Sequence, residues 1–378
     1  MTTTAQRSAA AAILSLIAVL LLCWSAPPAG AFPQGQLVFE SQQPDSVSEI
    51  SVINLDGGAR QSVTSNDLTD ESPEWSPDGA SIAETRQVST SPSRYNVIIM
   101  NTDGSAPHEI DSGDYDNGPG DWAPDGVHLV IGSYRDGSAK IYLVNDDGSG
   151  AVNLSGPGEV YDYEPAVSPD GNMIAFSSER SGDREIWVMG ANGENPTRLT
   201  YTGGASSYSP AWSRDSSTII YTSFRTDPSE LWAINADGFN DHQISFLHDQ
   251  GGAGDGEYSP DGGFIAFTGS DGIYTMAAAG DQITRVPGTT SNDRRPAWRP
   301  ALVAGDADCN KQVNLLDAFR ALQSQAGAPA GAAGCLAAAN VKCDDALNST
   351  DIALILAFAA EIPADVPSGC KDIEQSLG

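Results

Sequence analysis

Positive charge is scarce in this chain of 378 residues. It has 19 lysines and arginines against 50 aspartates and glutamates, which gives a net charge of −31 at pH 7. A surface this acidic repels phosphate backbones and anionic lipid, so we expect no nucleic-acid partner. The same excess of negative charge suits an extracellular setting that is rich in cations.

Long apolar runs are missing beyond the first 31 residues. Residues 1–31 have the order of a secretory signal peptide: Arg7, a short apolar run, and the small residues Ala29-Gly30-Ala31. Leu22 precedes Cys23 where a lipoprotein needs a small residue, which argues against lipidation. We therefore predict cleavage before Phe32 and a bacterial protein that is secreted or held at the cell surface, without a membrane span in its mature chain.

Catalytic signatures are also scarce. The sequence has no Gly-x-Ser-x-Gly motif, which argues against a propeller that gates an attached serine peptidase. Its four histidines occupy unrelated positions, so we interpret them as loop residues rather than metal ligands; they are His108, His128, His242 and His248. Paired carboxylates are frequent, but in so acidic a chain they are weak evidence for glycosidase chemistry.

What the sequence does contain is a turn that recurs about every 45 residues. Its copies are Trp75-Ser76-Pro77-Asp78-Gly79, Trp122-Ala123-Pro124-Asp125-Gly126, Val167-Ser168-Pro169-Asp170-Gly171, Trp212-Ser213-Arg214-Asp215-Ser216 and Tyr258-Ser259-Pro260-Asp261-Gly262. A truncated sixth copy lies at 296–300. A fixed period of this length is typical of repeat architectures.

Each repeat contains four short runs that favour β-strands. In the copy at 165–200 these runs are 165–167, 173–176, 185–189 and 197–200, with a hairpin signal at Asn192-Gly193. Four antiparallel strands in about 45 residues is the size of a propeller blade.

The two ends of the repeat region complement each other. The chain enters with a second and a third strand, 37–39 and 50–52, and leaves with an innermost strand, 296–298. These pieces complete one blade, which predicts a closed ring of six. The repeats resemble the TolB-type six-bladed β-propeller and its Pro-x-Trp-Ser-Pro-Asp-Gly-x-x-Ile-Ala-Phe signature. We therefore predict a mainly β protein with a propeller of four-stranded antiparallel blades over residues 32–300.

The position three residues before the proline of each innermost strand is a candidate ligand site. The six residues there are Asp70, Asn117, Asp162, Ser207, Ala253 and Asp293. Innermost strands line the channel of a propeller, so we expect this set to ring one channel mouth. Asp70, Asn117, Asp162 and Asp293 would then hold a cation or a cationic ligand group; the alternative is a solvated polar rim.

Residues 301–378 form a different, helix-prone region that begins with a calcium-loop pattern. Oxygen ligands recur at the spacing of a twelve-residue calcium loop, with a backbone carbonyl from the seventh residue. The set is Asp306, Asp308, Asn310, Gln312, Asn314 and Asp317. Calcium prefers six to eight oxygens, so this loop predicts a Ca²⁺ site. The alternative is an acidic loop that caps a helix.

A degraded second copy follows 34 residues later. Its ligands would be Asn340, Asp344, Ala346 through its carbonyl, Asn348 and Asp351. Lys342 places an ammonium among these ligands, and Asp345 replaces the glycine expected at the sixth position. Occupancy of this second loop therefore stays open.

The duplicated loops resemble the type I dockerin, an EF-hand-like, α-helical, Ca²⁺-binding domain. That resemblance implies docking to a cohesin-type protein partner, often in polysaccharide degradation. Four of the five cysteines lie in this region, and an even count in an exported chain predicts two disulfides. Symmetry of the duplicated unit favours Cys309–Cys335 and Cys343–Cys370, although three pairings exist.

The sequence as a whole favours an exported, monomeric recognition protein with calcium as its cofactor and no assigned catalytic residue. One rival is an enzyme, a propeller lyase or glycoside hydrolase carried by the dockerin-like tail. A second rival is a structural protein of the cell surface. The ligand of the propeller is not identified by its sequence.

Overall fold

The computed structural model describes residues 35–43, 47–111 and 113–300. These residues form 24 β-strands and one short 3₁₀ helix, His248–Gln250. No helix within these ranges is long and apolar enough to cross a membrane.

In chain order, the strands are β1 (Gln36–Gln42), β2 (Ser48–Asn54), β3 (Gln61–Ser62), β4 (Asp70–Trp75), β5 (Ser81–Thr90), β6 (Ser93–Asn101), β7 (His108–Glu109), β8 (Asn117–Trp122), β9 (His128–Ser133), β10 (Lys140–Asn145), β11 (Val152–Asn153), β12 (Asp162–Val167), β13 (Met173–Ser178), β14 (Glu185–Gly190), β15 (Thr197–Arg198), β16 (Ser207–Trp212), β17 (Thr218–Ser223), β18 (Glu230–Asn235), β19 (His242–Gln243), β20 (Ala253–Tyr258), β21 (Phe264–Gly269), β22 (Gly272–Ala277), β23 (Thr284–Arg285) and β24 (Asp293–Trp298). They form six antiparallel sheets of four strands, as the repeat predicted. We call β24-β1-β2-β3 blade 1, and the five sheets that follow along the chain are blades 2–6.

The ring closes through blade 1, which takes its strands from both ends of the repeat region. Leu37 pairs with Trp298 and Val38 pairs with Ala297. The innermost strands contact one another in sequence around the ring, which makes them the wall of a central channel. Closure leaves no open end to the ring of sheets, and the predicted six-bladed closure is confirmed.

The antiparallel order assigns every loop to one of two faces. Turns between the first and second strands and between the third and fourth strands leave at one face, which we call the turn face. Loops between the second and third strands, together with the connections between blades, leave at the other, which we call the connection face. The recurrent Pro-Asp-Gly and Asp-Gly turns therefore all lie on the turn face.

The hydrophobic core lies between neighbouring blades. Each of the six junctions has its own cluster of buried side chains, drawn from the sheets on either side. The Ile-Ala-Phe run of the second strand supplies much of it, for example Ile174, Ala175 and Phe176, which have no exposed surface. Burial of a side chain of this size contributes about 1.5–3 kcal/mol, so the blades stabilise one another.

Candidate functional site

The central channel is a cavity of about 680 Å³ lined by all six innermost strands. A bulge interrupts each of these strands where it pairs with the next, for instance between Glu71 and Glu74. The bulge turns the third and fifth residues of the strand towards the channel. Those third residues include Ser72, Glu164, Ser209, Asp255 and Arg295.

The third residue of the innermost strand has a left-handed backbone in five of the six blades. The φ angles are 50° for Ser72, 51° for Glu164, 50° for Ser209, 50° for Asp255 and 50° for Arg295. In blade 3 the equivalent residue is a proline. A left-handed backbone is costly for residues other than glycine, and such strain is concentrated at functional sites. The channel wall is therefore the first candidate site.

Hydrogen bonds from one blade to the next hold these residues in place. The backbone N–H of Ser209 donates to Glu164 Oε2 over 3.0 Å, and its hydroxyl donates to Asp255 Oδ1 over 3.1 Å. Arg295 Nη1 donates to Ser72 Oγ over 3.1 Å and lies 3.1 Å from Glu40 Oε2. The strained backbone is thus stabilised in part by contacts between neighbouring blades.

A second set of carboxylates lies deeper in the channel, at the fifth position of the strands. Its members are Glu74, Asp121 and Glu257. Burial, and then the charges of Glu257 and Asp121, raise the pKa of Glu74 well above its usual range. Burial likewise raises the pKa of Asp121 to about 7, although the Val167 N–H donates to it over 2.7 Å. Part of this set is therefore protonated near neutral pH.

Tryptophans complete the wall of the channel. Trp212 and Trp298 donate their indole N–H groups to Ala166 O and Glu257 O of the preceding blade, over 3.0 and 3.1 Å. In the described ranges, the indole N–H groups of Trp75 and Trp122 have no hydrogen-bond partner, although both are buried. The equivalent donors of blades 1 and 5 are therefore satisfied across the blade junction, whereas these two are not.

The predicted channel-mouth residues lie elsewhere. Asp70, Asn117, Asp162 and Asp293 begin their strands, have no exposed surface and are not among the channel-lining side chains. Each of the three aspartates forms an ion pair with an arginine: Asp70 with Arg86 at 2.6 Å, Asp162 with Arg180 at 2.5 Å and Asp293 with Arg60 at 2.7 Å. The side-chain amide of Asn117 donates a hydrogen bond to Asn96 Oδ1 over 2.8 Å. Ser207 and Ala253 are buried in the same way. The three arginines neutralise the carboxylates within the blades, so ligand binding by these residues stays a prediction.

Glu84 of blade 2 is a carboxyl group at a position that holds an apolar side chain in the Ile-Ala-Phe run. It occupies the position of Phe176 in the Ile-Ala-Phe run, and only 2% of it is exposed. Its Oε2 atom has no hydrogen-bond partner in the described structure, while Oε1 accepts from Arg86. Burial, and then the nearby charge of Asp70, raise the pKa of Glu84 to about 9. This carboxyl is therefore neutral at pH 7.

A continuous row of side chains crosses blades 3–5 on the connection face. Its members, which we call the aromatic row, are Tyr134, Tyr163, Arg184, Tyr208 and Phe224. The hydroxyl of Tyr134 is hydrogen-bonded to Tyr163, and the Arg184 guanidinium lies 4.4 Å from the ring of Tyr163 and 5.9 Å from that of Tyr208. The rings of Tyr208 and Phe224 are 5.5 Å apart.

Three more exposed rings flank this row on the same face. Tyr161, Tyr201 and Phe246 lie in the connections that precede blades 4, 5 and 6. Arg184 also pairs with Glu164 of the channel wall at 3.3 Å, so the aromatic row borders the channel mouth. Sequence reasoning missed this surface because its aromatic residues come from loops and from the second position of two innermost strands, all outside the repeat signature.

The four histidines form no site. His108, His242 and His248 are exposed, and His128 binds Asp125 at 2.7 Å. Within the described ranges, no group of three histidine, cysteine or acidic residues is arranged to hold a metal. The predicted signal peptide, both calcium loops and all four cysteines of the tail lie outside the described residues and stay predictions.

Comparisons with known proteins agree with this architecture. Residues 29–208 match the family model described as the TolB beta propeller domain, PD40. No curated protein matches the chain in sequence. The described domain is thus a six-bladed propeller, and residues 29–208 are similar to the TolB beta propeller domain.

Several solved structures share the fold. TolB from Acinetobacter baumannii is 19% identical, with a TM-score of 0.58 over 71% of this chain and 67% of that one. A putative TolB from Agrobacterium tumefaciens is also 19% identical, with a TM-score of 0.55 over 71% of this chain and all of its own. Hydrazine synthase from Kuenenia stuttgartiensis is 16% identical, with a TM-score of 0.56 over 71% and 47%. At these identities the likeness extends to the fold alone.

Proposed function

We propose that this is an exported recognition protein whose propeller binds a protein partner at its connection face. The aromatic row is the observation that carries the proposal. Exposed aromatic rings interleaved with arginine are the composition of protein interfaces, where such side chains contribute most of the binding energy. A propeller suits this role because its rigid blades hold the loops of one face in a fixed arrangement.

In the same proposal, the tail at 301–378 is a dockerin-like module that binds Ca²⁺ and docks to a cohesin-type partner. Its support is the ligand spacing of the first loop. That loop offers three carboxylates and two amide oxygens, whereas the second offers two carboxylates and carries Lys342. An ammonium among the ligands repels the ion, so the first loop should dominate binding.

Asp317→Asn is expected to remove most of the Ca²⁺ affinity of the full-length protein, and Asp351→Asn much less. The first change deletes a charged ligand from the complete loop, and the second alters a loop that is already defective. Calorimetric titration with Ca²⁺ measures both variants. Equal losses from the two, or no binding by the parent protein below the millimolar range, would contradict this assignment.

A second candidate function is a lyase or glycoside hydrolase with its site in the channel. The raised pKa of Asp121 favours it, because a carboxylic acid that keeps its proton near pH 7 serves as a general acid. Glu257, the remaining carboxyl of the set, would supply the partner carboxylate.

Asp121→Asn separates the two functions. If the protein is an enzyme, it releases new sugar ends from plant or bacterial polysaccharide, and this variant loses at least about a hundredfold in rate. Asp170→Asn is the matched control, since Asp170 also borders the channel but lies exposed in a turn. If the recognition function holds, the parent protein shows no such activity, and binding survives in both variants.

A further inference from the structure

Five aromatic rings are exposed on the connection face, in or beside blades 3–5. The exposed fractions reach 74% for Tyr201 and 71% for Phe246, with Tyr134, Tyr161 and Phe224 between 41% and 48%. Single exposed rings are ordinary, but contiguous ones on one face of a soluble protein mark a binding site. The aromatic row links Tyr134 to Phe224 through contacts between neighbouring members. Tyr161, Tyr201 and Phe246 lie in the blade connections on the same face.

Around these rings the basic side chains are mostly buried and paired, whereas the acidic side chains are exposed. The basic side chains at this face of blades 3–5 are each paired with a carboxylate and are at most 27% exposed; they are Arg135, Lys140, Arg180, Arg184, Arg198 and Arg225. The exposed charges of the same loops are acidic, namely Asp136, Glu159, Glu179, Asp183, Asp227 and Asp249. A ligand therefore meets apolar rings surrounded by negative charge, which selects a cationic partner.

Neither the tail of this protein nor a second copy of it is a suitable ligand for an acidic surface. Residues 301–378 contain ten acidic and four basic residues, and they leave the propeller after β24, at the turn face. A second copy carries a net charge of −31 and would be repelled by the same carboxylates. Both observations favour a different molecule as the occupant.

The arrangement of Arg184 favours a polypeptide over a sugar chain. Its guanidinium already lies over the rings of Tyr163 and Tyr208, and Arg198 lies 4.4 Å from the ring of Tyr201. A stacked sugar requires a free ring face. The arginines instead leave ring edges, tyrosine hydroxyls and the exposed rings of Phe224 and Phe246 for apolar side chains and backbone groups.

We infer that the aromatic row and its flanking rings bind a cationic polypeptide segment. Its apolar side chains would pack on Phe224, Phe246 and Tyr201, while its lysines or arginines would face the surrounding carboxylates. The inference rests on the proposed recognition function and adds the chemistry of the partner. The site lies beside the channel mouth, so a long basic side chain of the segment would also reach Glu164.

The test uses the full-length protein and short extended peptides at physiological ionic strength. One peptide alternates lysine with leucine, a second alternates lysine with serine, and a third alternates glutamate with leucine. Fluorescence anisotropy measures their affinities. We expect the lysine–leucine peptide to bind at least about tenfold more tightly than either other peptide, because it alone combines the required charge with apolar anchors.

The double variant Phe224→Ser/Phe246→Ser locates the site. It should weaken binding of the lysine–leucine peptide by about tenfold or more, since truncated aromatic anchors are the costly changes at interfaces. Phe239→Ser is the matched control, because Phe239 is 73% exposed but lies in a hairpin of the turn face. Thermal unfolding of all variants should be unchanged.

Four results would overturn the inference. They are equal binding of all three peptides, equal losses from the Phe239→Ser control, self-association that disappears in the double variant, and binding of a neutral oligosaccharide that disappears in it. Failure of the proposed function is distinguishable by the other peptides. If the glutamate–leucine peptide binds more tightly and the double variant loses it, recognition at the connection face stands and the cationic partner is wrong. If none of the three peptides binds, the proposed recognition at this face fails as well.

Discussion

Deletion of residues 32–55 is expected to abolish the cooperative unfolding transition of the propeller. The deletion removes β1 and β2, so β24 loses its only neighbour in blade 1. It also removes Leu37, Phe39, Ile50 and Val52 from the cores at two blade junctions. Each of these side chains contributes about 1.5–3 kcal/mol, a sum comparable to the 5–15 kcal/mol that stabilises a whole domain.

Circular dichroism and calorimetry measure the unfolding transition of the deletion variant.

A point substitution tests the same closure with a smaller change. Val38→Asp places a charge in the buried β1–β24 contact, whereas the control Val127→Asp alters a valine that is 45% exposed. We expect the first to lower the melting temperature strongly and the second hardly at all. An unchanged cooperative transition after the deletion would show that the ring does not depend on this blade.

The second large effect concerns pH. Replacement of Glu84 by glutamine is expected to stabilise the propeller by about 3 kcal/mol at pH 7 and to change it little near pH 4. In the unfolded chain this carboxyl ionises near its ordinary pKa of 4.5, while in the folded protein burial keeps its proton up to a pKa of about 9. Between these pH values the folded state binds the extra proton, so stability falls as pH rises. Glutamine cannot ionise and removes this loss.

Urea unfolding at several pH values from 4 to 9 measures the effect. Parent protein and variant should diverge as pH rises, and the residual slope of the variant belongs in part to Asp121 and Glu74, whose pKa values are also raised. Glu194→Gln is the control, since Glu194 is exposed in a hairpin of blade 4. Parallel curves for the parent protein and the Glu84 variant would refute the assignment of a buried, neutral carboxyl.

Much of the fold could be predicted because the repeat is local and periodic. Pro, Asp and Gly fix a turn through their own backbone preferences, and the short β-prone runs between turns, such as 173–176, predict the strands. Ring closure was predictable for a different reason. The strands at 37–39 and 50–52 lack an innermost strand, and the innermost strand at 296–298 lacks the strands that normally follow it. Pairing the two ends of the repeat region gives one complete blade, which closes the ring.

The residues predicted for the channel mouth lie two positions before the residues that line the channel in the structure. Counting back from the proline assumed a regular strand, in which Asp70 and Asp162 would face the channel. The bulge after the second residue reverses the alternation of faces, so Asp70 and Asp162 lie buried in the blades while Ser72 and Glu164 line the channel. Bulges depend on backbone hydrogen bonds between strands, and no single-sequence pattern here signals them.

Glu84 and the aromatic row show two further limits. Glu84 is visible in the sequence as a departure from Ile-Ala-Phe, but only packing reveals that its carboxyl is buried beside Asp70. The members of the aromatic row lie far apart in sequence, from Tyr134 to Phe224, and are assembled by the ring. Residues joined only by tertiary contacts leave no local pattern.

The split construction of blade 1 has a consequence for biosynthesis. A ribosome makes β1 and β2 first, but their partner β24 is made after all the other strands. Until that strand arrives, β1 exposes an unpaired edge, and a pairing between such distant segments forms slowly. The ring therefore stays open until nearly 300 residues have been made. On the proposed export route, β24 must also cross the membrane before the ring can close.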